Sequence, residues 1–112
     1  MIDVESRWIT RSGLEAVVVL RKSADISYRC GYVAVEEGSR FFNKSESFCN
    51  AKLSVHGGVT YAEESGNKFW IGYDCMDLDG LVDPKSLEFC IEECEYLASQ
   101  VASLDEVMHY IF

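Results

Sequence analysis

A chain of 112 residues has the size of one folding unit, and at 48% hydrophobic and 12% aromatic it carries enough apolar surface to exclude a disordered polypeptide. Its net charge of −9 is uneven. Residues 1–58 hold eight Lys/Arg against seven Asp/Glu, whereas residues 59–112 hold two Lys against twelve Asp/Glu, so the second half excludes a surface for nucleic-acid backbones.

The opening residues MIDVESRWITRSG lack an apolar core ahead of a small-residue cleavage site, so no secretory leader is expected. The longest apolar run, Ala16–Leu20, is far too short to span a bilayer. The expectation is a cytoplasmic protein without membrane contact. Cys30, Cys49, Cys75, Cys90 and Cys94 are odd in number, match no disulfide framework or zinc spacing, and read as thiols packed as small apolar groups.

Ser12-Gly13 supplies a turn, and Leu14–Leu20, LEAVVVL, reads as a buried strand. Residues 27–35, SYRCGYVAV, form the next, with Tyr28, Cys30, Tyr32 and Ala34 on one face and Arg29, Gly31, Val33 and Val35 on the other. Residues 38–52 suggest an irregular loop pinned by Phe41, Phe42 and Phe48. Leu53–Glu63 and Lys68–Cys75 flank the turn signal Ser65-Gly66-Asn67 and read as an antiparallel hairpin. A helix is predicted from Pro84 to about Val101, capped by Asp83. Leu87, Cys90, Ile91, Cys94, Leu97, Ala98 and Val101 form its apolar stripe, with glutamates opposite. Ser103 and Glu106 make a capping-box pattern ahead of a second, short helix. The sum is an α+β fold: a small antiparallel sheet of about four strands, one long amphipathic helix packed on it, and a short C-terminal helix.

Gly57 and Gly58 weaken a strand and need a reason. One is a bulge or a close crossing of backbones; the other is a ligand that approaches the main chain. His56 reads as a packed histidine, a general base or a metal ligand. Asp74 and Cys75 are neighbours, so on a regular strand only one can face His56, which argues against a Cys-His-Asp triad. The series Asp74, Asp77, Asp79 followed by Gly80 loosely resembles a calcium loop and, with His56, is a weak metal candidate, but it lacks the far bidentate Glu and also reads as an ordinary turn. No cofactor is expected. Tyr28, Tyr32, Tyr61, Trp70 and Tyr73 read either as sheet core or as a pocket that stacks a base, with Arg29, Arg40 and Lys44 as phosphate partners. Glu88, Glu92 and Glu95 read either as a solvated helix face or as a surface for a basic host protein.

The strings CGYVAV (30–35), HGGVTYAE (56–63), FWIGYDC (69–75) and LEFCIEECEYLASQ (87–100) together resemble a family of small uncharacterised proteins met mainly in bacteriophage and prophage genomes. The pattern runs Cys-Gly-Tyr-Val, a long loop, Val-His-Gly-Gly-Leu-Thr-Tyr, Trp-aromatic-Gly-Phe-Asp-Cys-Ala-His, then a Glu-Cys-Glu-x-Leu-Ala helix, and covers about residues 28–100. This chain departs from it where Met76-Asp77 replace Ala-His. The resemblance implies a mobile-element origin and places His56, Gly57, Gly58, Asp74 and Cys75 on the common motif.

Two expectations follow. The first is a non-enzymatic, phage-type binding protein that antagonises or modulates a host process, such as a defence process. It would bind a host protein through Glu88, Glu92 and Glu95, or sequester a small signalling nucleotide through Tyr32, His56, Gly57, Gly58, Tyr61, Trp70, Asp74 and Cys75. The alternative is a small enzyme or metal site using His56 with Asp74 or Cys75. An exposed hairpin edge or C-terminal MHYIF segment would in addition offer a homo-oligomer contact.

Overall fold

The computed structural model describes residues 2–24, 26–76 and 85–111. Five strands form one antiparallel sheet in the order β1-β2-β3-β5-β4. They are β1 (Ile2–Ile9), β2 (Glu15–Ser23), β3 (Ile26–Val35), β4 (Tyr61–Ser65) and β5 (Lys68–Asp74). A short helix, α1 (Glu46–Lys52), precedes β4, and a long one, α2 (Leu87–Ile111), follows β5. The fold is α+β, with one strand more than the sequence suggests.

Alternation along each strand gives the sheet two faces. The helix-side face carries Ala16, Val18, Val33, Ile71 and Tyr73, which close on Cys90, Cys94, Leu97, Ala98 and Val101 of α2, all buried. This is the apolar stripe expected from the spacing. Trp8, at the end of β1, donates its indole N–H to Glu95 Oε2 (2.8 Å), and the backbone N–H of Arg11 donates to Glu95 Oε1 (3.0 Å). Those two bonds fasten the outermost strand to the helix.

The cross-strand register contains a reciprocal motif. Gly31 lies opposite Tyr73, and Tyr32 lies opposite Gly72. A β-carbon on Gly31 would stand 2.5 Å from Tyr73 Cε1 and 2.7 Å from Cys94 Sγ. One on Gly72 would stand 2.4 Å from Tyr32 Cδ1 and 2.7 Å from the Gly31 carbonyl oxygen. Each glycine therefore gives up its side-chain volume to the tyrosine of the partner strand, Tyr73 on the helix side and Tyr32 on the other.

Four expectations need correction. β1 is a strand not expected above, although Ile2 and Val4 alternate with Asp3 and Glu5; the register shifts between Val4 and Ser6, so the alternation does not carry through to Trp8 on one face. The loop expected over 38–52 contains α1, whose N-terminus is capped by Ser45 Oγ accepting from the Phe48 N–H. The strand expected over Leu53–Glu63 begins only at Tyr61. Its first half is a turn in which the Gly58 N–H bonds to the Val55 carbonyl, and Gly57 and Gly58 have φ of +73° and +82°. The two C-terminal helices are one. Ser103 sits inside α2 because neither Gly nor Pro separates Val101 from Leu104, and Leu104 packs on the same core. The described part of α2 starts with Ser86 Oγ accepting from the Phe89 N–H, whereas Asp83 and Pro84 lie outside the described residues.

Candidate functional site on the outer sheet face

The face turned away from α2 carries a second apolar cluster: Val17, Val19 and Cys30, with Tyr28, Tyr32 and Trp70 packed against them. Register explains the grouping. Arg7 pairs with Val17, Val17 with Tyr32, Tyr32 with Gly72 and Gly72 with Tyr61, so one row crosses all five strands. Gly72 leaves room for the Tyr32 ring, which meets Tyr61 edge-on at 5.1 Å between centroids. Val4, Arg7, Arg21, Tyr32, Tyr61 and Trp70 rim a depression of about 260 Å³ floored by Val17 and Val19.

Arg21 is the unusual member. It is half-buried and donates from Nη2 to the Tyr32 hydroxyl at 2.7 Å. The Cys30 thiol is a second hydrogen-bonding partner. Neither is a carboxylate. By contrast Arg7 meets Glu15 (2.7 Å), Arg11 meets Glu92 (3.2 Å) and Arg29 meets Glu5 (2.7 Å). The hydrogen bond to Tyr32 raises the Arg21 pKa further, so the guanidinium is permanently charged. Burial pushes the Tyr32 phenol up to about 12, against the pull of Arg21, so it stays neutral at physiological pH. Burial likewise raises Cys30 and Tyr61. Beyond the depression, Lys68 and Arg7 both bond to Glu15 and hold its carboxyl below the usual range, and Lys68 Nζ stands 5.9 Å over the Trp70 ring.

Of the residues marked in the sequence, Tyr32, Tyr61 and Trp70 meet here. Asp74 follows on the same face, opposite Cys30. His56, Gly57 and Gly58 do not line the depression. Their turn lies beside the end of β5 and against α2, with the His56 ring edge-on to Phe89 at 5.3 Å and its backbone N–H on Glu93 Oε2 at 2.9 Å. Gly58 sits against Asn50, whose Oδ1 accepts the Val59 N–H at 2.9 Å. The glycines thus have a geometric reason, a left-handed turn docked on α1. Cys75 lies beneath the sheet, its sulfur 3.7 Å from that of Cys90, on the face opposite Asp74.

The remaining candidates are dispersed. Arg29 bonds Glu5 and the Lys85 carbonyl on the helix side. Arg40 and Lys44 border a separate hollow beside Phe48. Glu88 and Glu92 are exposed, while Glu95 is buried and committed to Trp8 and Arg11. Asp77 and Asp79 lie outside the described residues. Among the described residues, no three His, Cys, Asp or Glu side chains are placed to share a metal ion, and no helix is long and apolar enough to cross a membrane.

Sequence reasoning missed Arg7, Arg21, Val17 and Val19. The signal available was the phase of LEAVVVLR, which puts Val17, Val19 and Arg21 on one face. The strand order that brings them beside Trp70 is not local. No family model matches the chain, no curated protein matches it, and no solved structure matches it.

Proposed function

We propose that the protein is a non-enzymatic binding protein whose outer sheet face sequesters a small planar anion of nucleotide chemistry, as an antagonist of a host nucleotide-signalling process would. The observation that carries this reading is Arg21, a half-buried guanidinium partnered by a phenol and a thiol in a chain of net charge −9. A guanidinium keeps several donors in a planar fork, and an anion satisfies them better than a phenol does. Tyr61 and Trp70 stand beside it as stacking surfaces. About 260 Å³ is smaller than a typical drug-sized pocket and suits one base with its phosphate. The phage-type resemblance of the motifs supports the antagonist role.

The alternative built on His56 has weaker support, because Asp74 and Cys75 occupy opposite faces and His56 packs on Phe89. The test is calorimetric titration with adenosine, guanosine, cytidine and uridine monophosphates and their cyclic forms. Stacking on one aromatic ring is worth ~1–3 kcal/mol, so Trp70→Ala is expected to weaken binding by roughly tenfold or more, and Arg21→Gln by a similar factor. Glu88→Gln with Glu92→Gln is expected to leave it unchanged. Absence of binding by the parent protein at millimolar ligand would overturn the proposal.

A further inference from the structure

The end of β5 and the start of α2 meet through two sulfurs. Cys75 directly follows β5, and Cys90 lies in the first turn of α2. Their Sγ atoms are 3.7 Å apart, in van der Waals contact and in hydrogen-bond range for a thiol. Both are thiols and both are buried, at 1% and 0% exposure. The other three cysteines differ. Cys30 is on the outer face, Cys49 in α1, and Cys94 packs against the Tyr73 ring over Gly31.

We propose that Cys75 and Cys90 are a peroxide-driven disulfide site that clips β5 to α2. The environment favours Cys90 as the attacking sulfur. The hydrogen bond from Cys75 is the largest of the influences that bring its pKa down to about 7, and the Arg29 guanidinium adds to it. Burial instead pushes Cys94 up to about 12 and raises Cys30 and Cys49. The chemistry balances. The Cys90 thiolate attacks one oxygen of hydrogen peroxide, the O–O bond breaks, and the departing hydroxide takes up a proton to leave as water. The resulting sulfenic acid is attacked by Cys75. The S–O bond breaks as S–S forms, and the second oxygen leaves as water. Two thiols lose two electrons and peroxide gains them. The sulfurs need only close from 3.7 Å to the ~2.05 Å of a disulfide. Because both are buried, peroxide reaches them through local opening of the first turn of α2, so the reaction rate reports that opening.

The test is exposure of the full chain to hydrogen peroxide, followed by alkylation and intact mass analysis. The expected product is 2 Da lighter before alkylation and takes up two fewer alkyl groups, with tandem mass spectrometry linking Cys75 to Cys90. It is also expected to melt roughly 10 °C higher than the reduced protein, reverting with dithiothreitol, because bridging Cys75 to Cys90 removes loop-closure entropy from the unfolded chain. Cys75→Ala is expected to stop at a sulfenic or higher oxide on Cys90, trapped by dimedone, and Cys49→Ser to behave as the parent. If Cys75→Ala fails to fold, the linked-peptide map of the parent decides alone. A map linking other cysteines, or oxidation of all five thiols at equal rates with no Cys75–Cys90 link, overturns the proposal.

Discussion

Replacing Gly31 by alanine should cost far more than its single methyl suggests. The new Cβ would lie 2.5 Å from Tyr73 Cε1, 2.7 Å from Tyr73 Cζ and 2.7 Å from Cys94 Sγ. Tyr73 is 1% exposed, Cys94 is 0%, and the Tyr73 hydroxyl is held by the Cys90 carbonyl at 3.0 Å, so neither neighbour can retreat cheaply. Overpacking of this kind costs ~1–3 kcal/mol. Loss of glycine's freedom in the unfolded chain offsets about 0.4–1 kcal/mol of that. The net expectation is about 1–2 kcal/mol of destabilisation, a fall in Tm of roughly 4–8 °C for a domain of this size. Urea unfolding followed by circular dichroism measures it, with Gly38→Ala as the control, since a Cβ there meets nothing within 4 Å. If Gly31→Ala unfolds within about 0.5 kcal/mol of the parent, the reciprocal glycine–tyrosine packing is not what holds β3 to β5.

Three further outcomes are expected. Glu95→Ala leaves the Trp8 indole and the Arg11 amide without their acceptor and should cost about 2–3 kcal/mol by chemical denaturation, whereas Glu92→Ala on the exposed side should cost under ~0.5. Asn50→Ala removes the acceptor for Val59 and loosens the Gly58 turn. A loss of about 1 kcal/mol is expected, together with faster amide exchange at Val59; unchanged exchange would refute the anchoring role. Glu15 tests the pH dependence. Its folded pKa lies below the ordinary 4.5, chiefly through Lys68, so its ionised form contributes stability above that value, and the contribution is lost as pH falls through the folded pKa. Glu15→Gln should therefore be less stable than the parent at neutral pH and converge with it as pH falls below the folded pKa of Glu15; a difference that stays constant from neutral pH into acid would contradict the assignment.

Much of the fold was legible in the sequence, and each failure has its own physical cause. The phase of residues 27–35 and the stripe of α2 were readable because burial on one face writes a period into the chain. β1 was not, because an edge strand carries charge and its bulge resets the alternation. The segment LSVHGGVTY reads as alternating only if glycine is counted as neutral, and positive φ at Gly57 and Gly58 breaks the strand there. α1 is too short for periodicity to register. On the candidate site, Tyr32, Tyr61 and Trp70 could be named from composition. Arg21 could not be joined to them, because a strand order in which β5 lies between β3 and β4 is a long-range decision.

The paired Gly-Tyr dipeptides also bear on how the chain finds its reading frame. β3 and β5 are distant in sequence, and nothing local fixes how they slide past one another. A one-residue slip would set Tyr32 against Tyr73 or Gly31 against Gly72, crowding one position or leaving another bare, and would turn every side chain of β5 to the wrong face. A two-residue slip would restore the faces but uncover both glycines. In this arrangement only one alignment gives each ring a flat place to lie. The same contact therefore proofreads the central strand pair and delivers Tyr32 to the outer face, so a chain that has paired these strands correctly has already placed one wall of its candidate site.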